Sequence, residues 1–194
     1  MNGLDIGIFK AINGWPEESA PFWIFLSNAV KRTDGLVLLG VVVGGLLAWK
    51  KTRFATLFAL LSWPLADGTT NVLKHMLKWP RPCWPNVLLE HPDFHVRVEA
   101  LTSFGTASAH SANMMAIATC FLWLYRPVGY VWLVVAVLTG LSRIYVGVHW
   151  PSQVLLGWVC GALCGTVMVK TIESAQRILA AKKQAPPASP AEVP

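Results

Sequence analysis

Uncharged apolar runs follow one another along this chain with short polar connections, and their lengths bound what it can fold into. A helix that crosses a bilayer needs about 20 predominantly apolar residues. Gly35 to Trp49, closed by Lys50, Lys51 and Arg53, is a first such helix, somewhat short. Phe54 to about Lys78 is a second, interrupted by Pro64, and Ser108 to Tyr125 is a third. Val128 to about Val146 is a fourth, and a fifth runs from Pro151, a residue suited to a first helical position, to about Ile172. Leu4, Ile8, Phe9 and Ile12, then Phe22, Phe25, Leu26 and Ala29, repeat at helical spacing in segments too short to span. They predict amphipathic helices lying at the interface over residues 1–33. The predicted fold is therefore all-α: a polytopic integral membrane bundle of about five spanning helices, with an embedded core over 34–172. A cytoplasmic tail is expected over 173–194, disordered from Gln184 onward, where alanine and proline dominate.

Composition agrees with one membrane domain: 54% of the 194 residues are hydrophobic, 13% are charged, and ten are tryptophan. The net charge of +6 would raise nucleic acid as a partner in a soluble protein; here the basic residues flank apolar segments, which points to lipid headgroups and orientation instead. Cys120, Cys160 and Cys164 fall inside apolar segments and Cys83 stands alone, so structural disulfides are not expected. Residues 1–13 lack the pattern of a cleavable signal, which leaves targeting to the membrane helices. Gly157, Gly161 and Gly165 recur at every fourth position of the last helix and predict close helix packing. Oligomeric state is not legible.

Lys50, Lys51, Arg53, Arg126, Lys170, Arg177, Lys182 and Lys183 share one side of this topology, which the positive-inside tendency makes cytoplasmic. Lys74, Lys78, Arg81, Arg97 and Arg143 then lie on the outer side, and an anionic ligand explains them better than topology does. Asp67, Asn71, Lys74 and Lys78 share a helical face that is expected to line the bundle interior. The long connection from Trp79 to Thr106 has a length that favours a lid. Its His91 and His95 read as part of a solvated loop, and no metal site is expected.

Three short patterns meet at that outer face: Lys74-x6-Arg81-Pro82, Ser108-Ala109-His110, and Ser142-Arg143-x5-His149. Two arginines and a lysine can neutralise a phosphoryl group, the arginines by forked hydrogen bonds and the lysine as a point charge. Ser108, just ahead of a helix, can add its hydroxyl, and the backbone N–H groups behind it add further donors. Two histidines permit covalent phosphoryl transfer, one attacking phosphorus and the other protonating the leaving oxygen. Arginine and lysine supply the positive charge for the transition state, so neither metal nor cofactor is expected.

In these motifs the chain resembles the type 2 phosphatidic acid phosphatase superfamily, whose patterns run Lys-x6-Arg-Pro, Pro-Ser-Gly-His and Ser-Arg-x5-His-x3-Asp. The resemblance covers roughly residues 54–172, and the short N-terminal helices also resemble those of small bacterial undecaprenyl pyrophosphate phosphatases. It implies that His149 is the nucleophile and His110 the general acid, with Lys74, Arg81, Ser108, Ala109 and Arg143 binding the phosphate. It also implies a lipid phosphate or diphosphate substrate at the outer face of a bacterial-type inner membrane. Undecaprenyl diphosphate ranks first, ahead of phosphatidylglycerophosphate, phosphatidate and lipid A phosphate.

The chain departs from that pattern at three positions. Ala107 and Ala109 replace proline and glycine, and Gln153 stands in place of aspartate. Ala109 keeps its backbone N–H, so the exchange matters only if the position requires positive φ. Gln153 can accept the histidine ring N–H through its carbonyl oxygen without supplying negative charge, so it is expected to orient His149 with less electrostatic support. Glucose-6-phosphatase-like enzymes resemble this chain in carrying glutamine there. Two other classes remain in view: a lipid-phosphate binding or transport protein that has lost turnover, and a vanadate-dependent haloperoxidase, against which the apolar spans argue.

Overall fold

The computed structural model describes residues 3–184, and the sequence-predicted disorder of 185–194 lies outside them. Eight α-helices make up the described part: α1 Gly3–Asn13, α2 Ala20–Asn28, α3 Thr33–Ala48, α4 Arg53–Leu77, α5 Pro85–Glu90, α6 Ala109–Leu124, α7 Arg126–Tyr145 and α8 Pro151–Gln184. Short 3-10 turns at Glu17–Ser19 and Ala29–Lys31 flank α2, and no strand occurs among the described residues. The all-α expectation and the order of its segments are met.

Among the described residues, two helices are long and apolar enough to cross a membrane: Arg126–Tyr145, with mean hydropathy 1.6, and the Pro151–Ala181 part of α8, with 1.7. α3 and α6 have 16 residues each, and at 1.5 Å per residue they fall short of a hydrocarbon core about 30 Å thick. α4 has 25 residues and passes through Pro64 without a break, but it is not among the helices apolar enough to cross. Outward-facing apolar side chains nevertheless girdle the bundle, among them Val41 on α3, Leu61 on α4, Val134 on α7 and Leu163 on α8. A surface of that kind needs an apolar solvent or partner.

α6 is the central helix and packs on α4, α7 and α8. Its small residues Ala112, Ala116 and Ala118 are fully buried, and below them Phe121 joins Ala55, Ala59, Ile117, Cys120 and Val169 in the largest core cluster. The α6–α8 contact is made backbone to backbone by Gly157, Gly161 and Gly165. A β-carbon at Gly157 would lie 2.6 Å from the Ser108 carbonyl oxygen and one at Gly165 2.7 Å from that of Ala116, and one at Gly161 would overlap the Ala112 oxygen.

α4 corrects one sequence expectation. Its buried side is made of small residues, Ala55, Ala59, Ser62, Ala66 and Thr70, which allow close approach to α6. Of the stripe, Asp67, Asn71 and Lys78 are exposed and Lys74 is half-buried, while Asp67 still turns toward α6 and accepts from Asn113 Nδ2 at 3.3 Å. Small side chains gain more from helix approach than four polar ones do from an interior position, so they set the rotation of the helix.

The N-terminal helices are packed onto the bundle. Phe9 of α1 is fully buried, with ring centroids 4.6 Å from Phe94 and 5.0 Å from Trp150, and α2 lies along α7. The connection between α4 and α6 is fastened too. Asn13 donates to the His95 and Tyr145 carbonyls and accepts from the His95 N–H, Arg97 donates to the Tyr145 carbonyl, and Trp84 donates to the Leu101 carbonyl. In this structure it is fastened as a cover over the site end of the bundle. At the far end, α8 runs unbroken past Glu173 to Gln184, so the first part of the predicted tail continues the same helix.

Replacing Gly161 by leucine forces α8 away from α6 and is expected to cost about 1–3 kcal/mol, the range for overpacked cores. Gly44→Leu, where nothing lies within 4 Å of the new β-carbon, serves as control. Thermal unfolding in detergent measures both; equal midpoints would contradict the close-packed seam.

Candidate active site

The three motifs come together at one end of the bundle. Arg81, on the chain leaving α4, is 2% exposed and is held by the connection that follows it. Its Nε donates to the Ser103 carbonyl at 2.6 Å and its Nη2 to the Phe104 carbonyl at 3.0 Å. Nη1 donates to the Val148 carbonyl at 3.0 Å and lies 2.8 Å from Nε2 of His149. His149 sits two residues before α8, on the tight connection from α7, and Gln153 lies one helical turn further on.

The Gln153 side chain settles the state of the histidine. Its Nε2 donates to the Pro80 carbonyl at 2.8 Å, which turns Oε1 toward the ring, 3.1 Å from His149 Nδ1. Oε1 also accepts the Trp150 N–H at 3.3 Å. An oxygen facing Nδ1 requires a proton there, and a guanidinium N–H facing Nε2 requires a lone pair there. The tautomer assigned by this network is therefore Nδ1–H, with Nε2 free to act as a base or nucleophile. Burial, then the charges of Arg81, Arg143 and Lys74, push the His149 pKa well below its ordinary value, so the ring is neutral at physiological pH.

Ser108 is the N-cap of α6 and its backbone N–H donates to the Gln153 carbonyl at 2.9 Å, which locks the start of α6 to the first turn of α8. Ala109 and His110 are the first two helical residues. Ala109 is not at positive φ, so its β-carbon carries no strain. The positive value falls at Ala107, φ 51°. A proline, locked near −65°, does not fit that backbone, and alanine does. Ser108 Oγ, His110 Nε2 and Arg143 Nε are buried polar atoms with no hydrogen-bond partner, and they come from three motif positions. Unpaired buried polar groups are costly, so these motif atoms favour a polar guest at the site. Lys74 is half-buried on the last turn of α4. Ser142 turns its hydroxyl onto the Thr139 carbonyl at 2.7 Å and belongs to α7, not to the site. His91 stacks on Phe94, 4.6 Å between centroids.

Four supporting groups were not found from the sequence. Pro80 contributes the carbonyl that orients Gln153. Gly105 is needed because a β-carbon there would lie 2.6 Å from both Gln153 amide heteroatoms and 2.8 Å from Arg81 Cγ. Asp5 accepts from the Ser152 N–H and hydroxyl at 2.9 and 2.8 Å, capping the start of α8. Ser27 accepts two hydrogen bonds from Arg143 Nη1. Gly105 stands out as a glycine two residues before a motif; nothing local marks the other three.

The PAP2 superfamily model matches residues 53–177, from the first residue of α4 into α8. The chain belongs to the PAP2 superfamily. It is accordingly a membrane protein and a phosphate hydrolase of the PAP2 type. It is 32% identical to an undecaprenyl-diphosphatase of Sulfolobus acidocaldarius over 89% of this chain and 80% of the relative. It is 29% identical to the bacitracin transport permease protein BcrC of Bacillus licheniformis over 82% of this chain and 76% of that one. Among solved structures it resembles Aquifex aeolicus LpxE, with TM-score 0.68, 24% identity and coverage of 87% and 96% of the two chains. That likeness is one of fold alone.

Gly105→Ala is expected to displace the Gln153 amide and lower phosphatase turnover at least about tenfold, the effect of about 1.4 kcal/mol in the barrier. The same overpacking is expected to cost about 1–3 kcal/mol of stability, so turnover is compared well below the unfolding midpoint, and unaltered turnover there would show that the amide is not held. A second outcome concerns pH. Because the His149 pKa is lowered, the neutral ring persists as pH falls below 6.5. At pH 5.5 an ordinary histidine is about nine-tenths protonated. Nitrogen-15 ring signals, assigned by their loss in His149→Gln, should still show a neutral Nδ1–H tautomer there; an imidazolium signal would contradict the assignment.

Proposed function

We propose that this protein removes the terminal phosphate of a membrane lipid diphosphate through a phosphohistidine on His149, with undecaprenyl diphosphate as the foremost substrate. The observation that carries the mechanism is the hydrogen-bonded series Pro80, Gln153, His149, Arg81, which leaves the Nε2 lone pair facing a guanidinium. When substrate binds, a phosphoryl oxygen takes over the Arg81 Nη1–H, and Nε2 attacks phosphorus. The P–O bond to the lipid phosphate breaks and the leaving oxygen takes a proton from His110. Water, deprotonated by His110, then attacks phosphorus, the P–N bond breaks, and inorganic phosphate leaves with His149 neutral again. Arg81, Arg143, Lys74, Ser108 and the Ala109 N–H stabilise the charge on the equatorial oxygens.

The lipid is supported by a cavity of about 480 Å³ between α2, α3, α6 and α7. Leu38, Leu39, Val42, Val131 and Val135 line it, and His110 and Thr139 are the polar side chains in its wall. The part of a hydrocarbon chain nearest the phosphate fits there, leaving the remainder in the bilayer. An outward-facing site in the inner membrane is supported by charge. Lys50, Lys51, Arg53, Arg126 and Lys170 cluster at the opposite end, where Trp49 meets Tyr125 and Lys170 covers the Trp123 ring. The prenyl diphosphate reading leans on the 32% identical undecaprenyl-diphosphatase. A phospholipid monoester is the second reading, favoured by the 30% identity over 140 residues to phosphatidylglycerophosphatase B of Bacillus subtilis.

Phosphate release in chelator from undecaprenyl diphosphate, phosphatidylglycerophosphate, phosphatidate and lipid A phosphate tests both readings. The prenyl diphosphate is expected to have the highest kcat/KM, and His149→Ala to abolish turnover on all. A higher kcat/KM for phosphatidylglycerophosphate would replace the first reading by the second.

A further inference from the structure

The family match begins at Arg53, yet Arg143 is held from outside it. Arg143 lies in the last turn of α7 and is 4% exposed; Ser27, 116 positions earlier on α2, is fully buried. Both hydrogen bonds of the guanidinium run through Nη1, one to the Ser27 carbonyl at 3.1 Å and one to its hydroxyl oxygen. Nε is buried and has no partner.

We propose that Ser27 is a positioning residue for the phosphate clamp: it occupies Nη1 of Arg143 so that the Nε side of the guanidinium is left for the phosphoryl oxygens. This rests on the reading of Arg143 as a phosphate ligand. A guanidinium is a flat fork with distinct edges, and only one of them can meet an oxyanion in parallel at a time. On a long side chain the choice of edge costs rotamer entropy unless something fixes it in advance. Ser27 fixes it twice over. It is the penultimate residue of α2, so its carbonyl is among those left unpaired at a helix C-terminus, where a cation is favoured. Its hydroxyl supplies the second acceptor on the same nitrogen. α2 is itself held in place, because Trp23 packs 5.1 Å from Trp15 and 5.9 Å from Tyr145, two residues after Arg143.

A positioning role differs from a merely structural one in its dependence on the arginine. Inorganic phosphate binding, followed by calorimetry in detergent, reads the clamp without regard to which lipid is the substrate. Ser27→Ala is expected to weaken phosphate about tenfold in the wild type, equivalent to about 1.4 kcal/mol. It should add nothing further in an Arg143→Lys background, where no fork remains to be oriented. Unchanged phosphate affinity in Ser27→Ala would overturn the proposal, as would an equal loss in both backgrounds, the mark of a structural defect. If wild type binds phosphate but releases none from any lipid, the catalytic reading fails while the cycle still decides Ser27. If wild type binds no phosphate at all, the clamp and the proposal fall together.

Discussion

A neutral histidine buried against an arginine is the constraint on which this structure depends. His149 is 2% exposed and Arg81 likewise, and a buried guanidinium that loses its partners costs about 3–5 kcal/mol. Arg81 avoids that cost by spending its donors on the Ser103, Phe104 and Val148 carbonyls and on His149 Nε2. The connection between α4 and α6 must therefore fold back so that Ser103 and Phe104 reach the arginine, and the α7–α8 connection must bring Val148 to its other side. The cover is fixed because the charge beneath it has to be solvated by carbonyls.

Packing far from the charge serves the same end. The glycines of α8 bring its backbone onto that of α6, and the crossing is closest along Ser108, Ala112 and Ala116. At the Gly157 end the Ser108 N–H reaches the Gln153 carbonyl. The helix start that supplies Ser108, Ala109 and His110 is thus in register with the turn that supplies His149 and Gln153, to the precision of one hydrogen bond. A seam of small residues is how a membrane bundle, with little hydrophobic force between its helices, holds two motifs at such a separation.

The motif residues were legible in the sequence because phosphoryl chemistry needs particular side chains at particular spacings. Lys-x6-Arg-Pro, Ser-x-His and Arg-x5-His are local patterns, and Gln153 stands where the resembled family carries its orienting aspartate. The rest was not legible for identifiable reasons. The face of α4 was misread because four polar residues at helical spacing are conspicuous, while Ala55, Ala59, Ser62, Ala66 and Thr70 are not. Two helices pass a length and apolarity test where five spans were expected, since α3 and α6 are short and α4 carries the polar residues that approach the site. Pro80 acts through a carbonyl that every residue has. Ser27 and Asp5 act across more than a hundred positions, and sequence spacing says nothing about such pairs.

Those distant pairs change where the functional unit begins. Residues 1–33 read in sequence as a peripheral segment, and the family match leaves out everything before Arg53. In the structure Asp5 caps the turn carrying Gln153, Asn13 joins the end of α7 to the cover at His95, and Ser27 holds Arg143. Each contact falls on a different element, and each uses a buried polar side chain with its bonds made to backbone, to a hydroxyl or to a charged group. Buried polar contacts of that kind add little net stability compared with apolar packing, but they fix one geometry among several that packing alone would tolerate. The N-terminal helices therefore constrain the orientation of the motif side chains, and the boundary drawn by the family match is narrower than the unit that holds them.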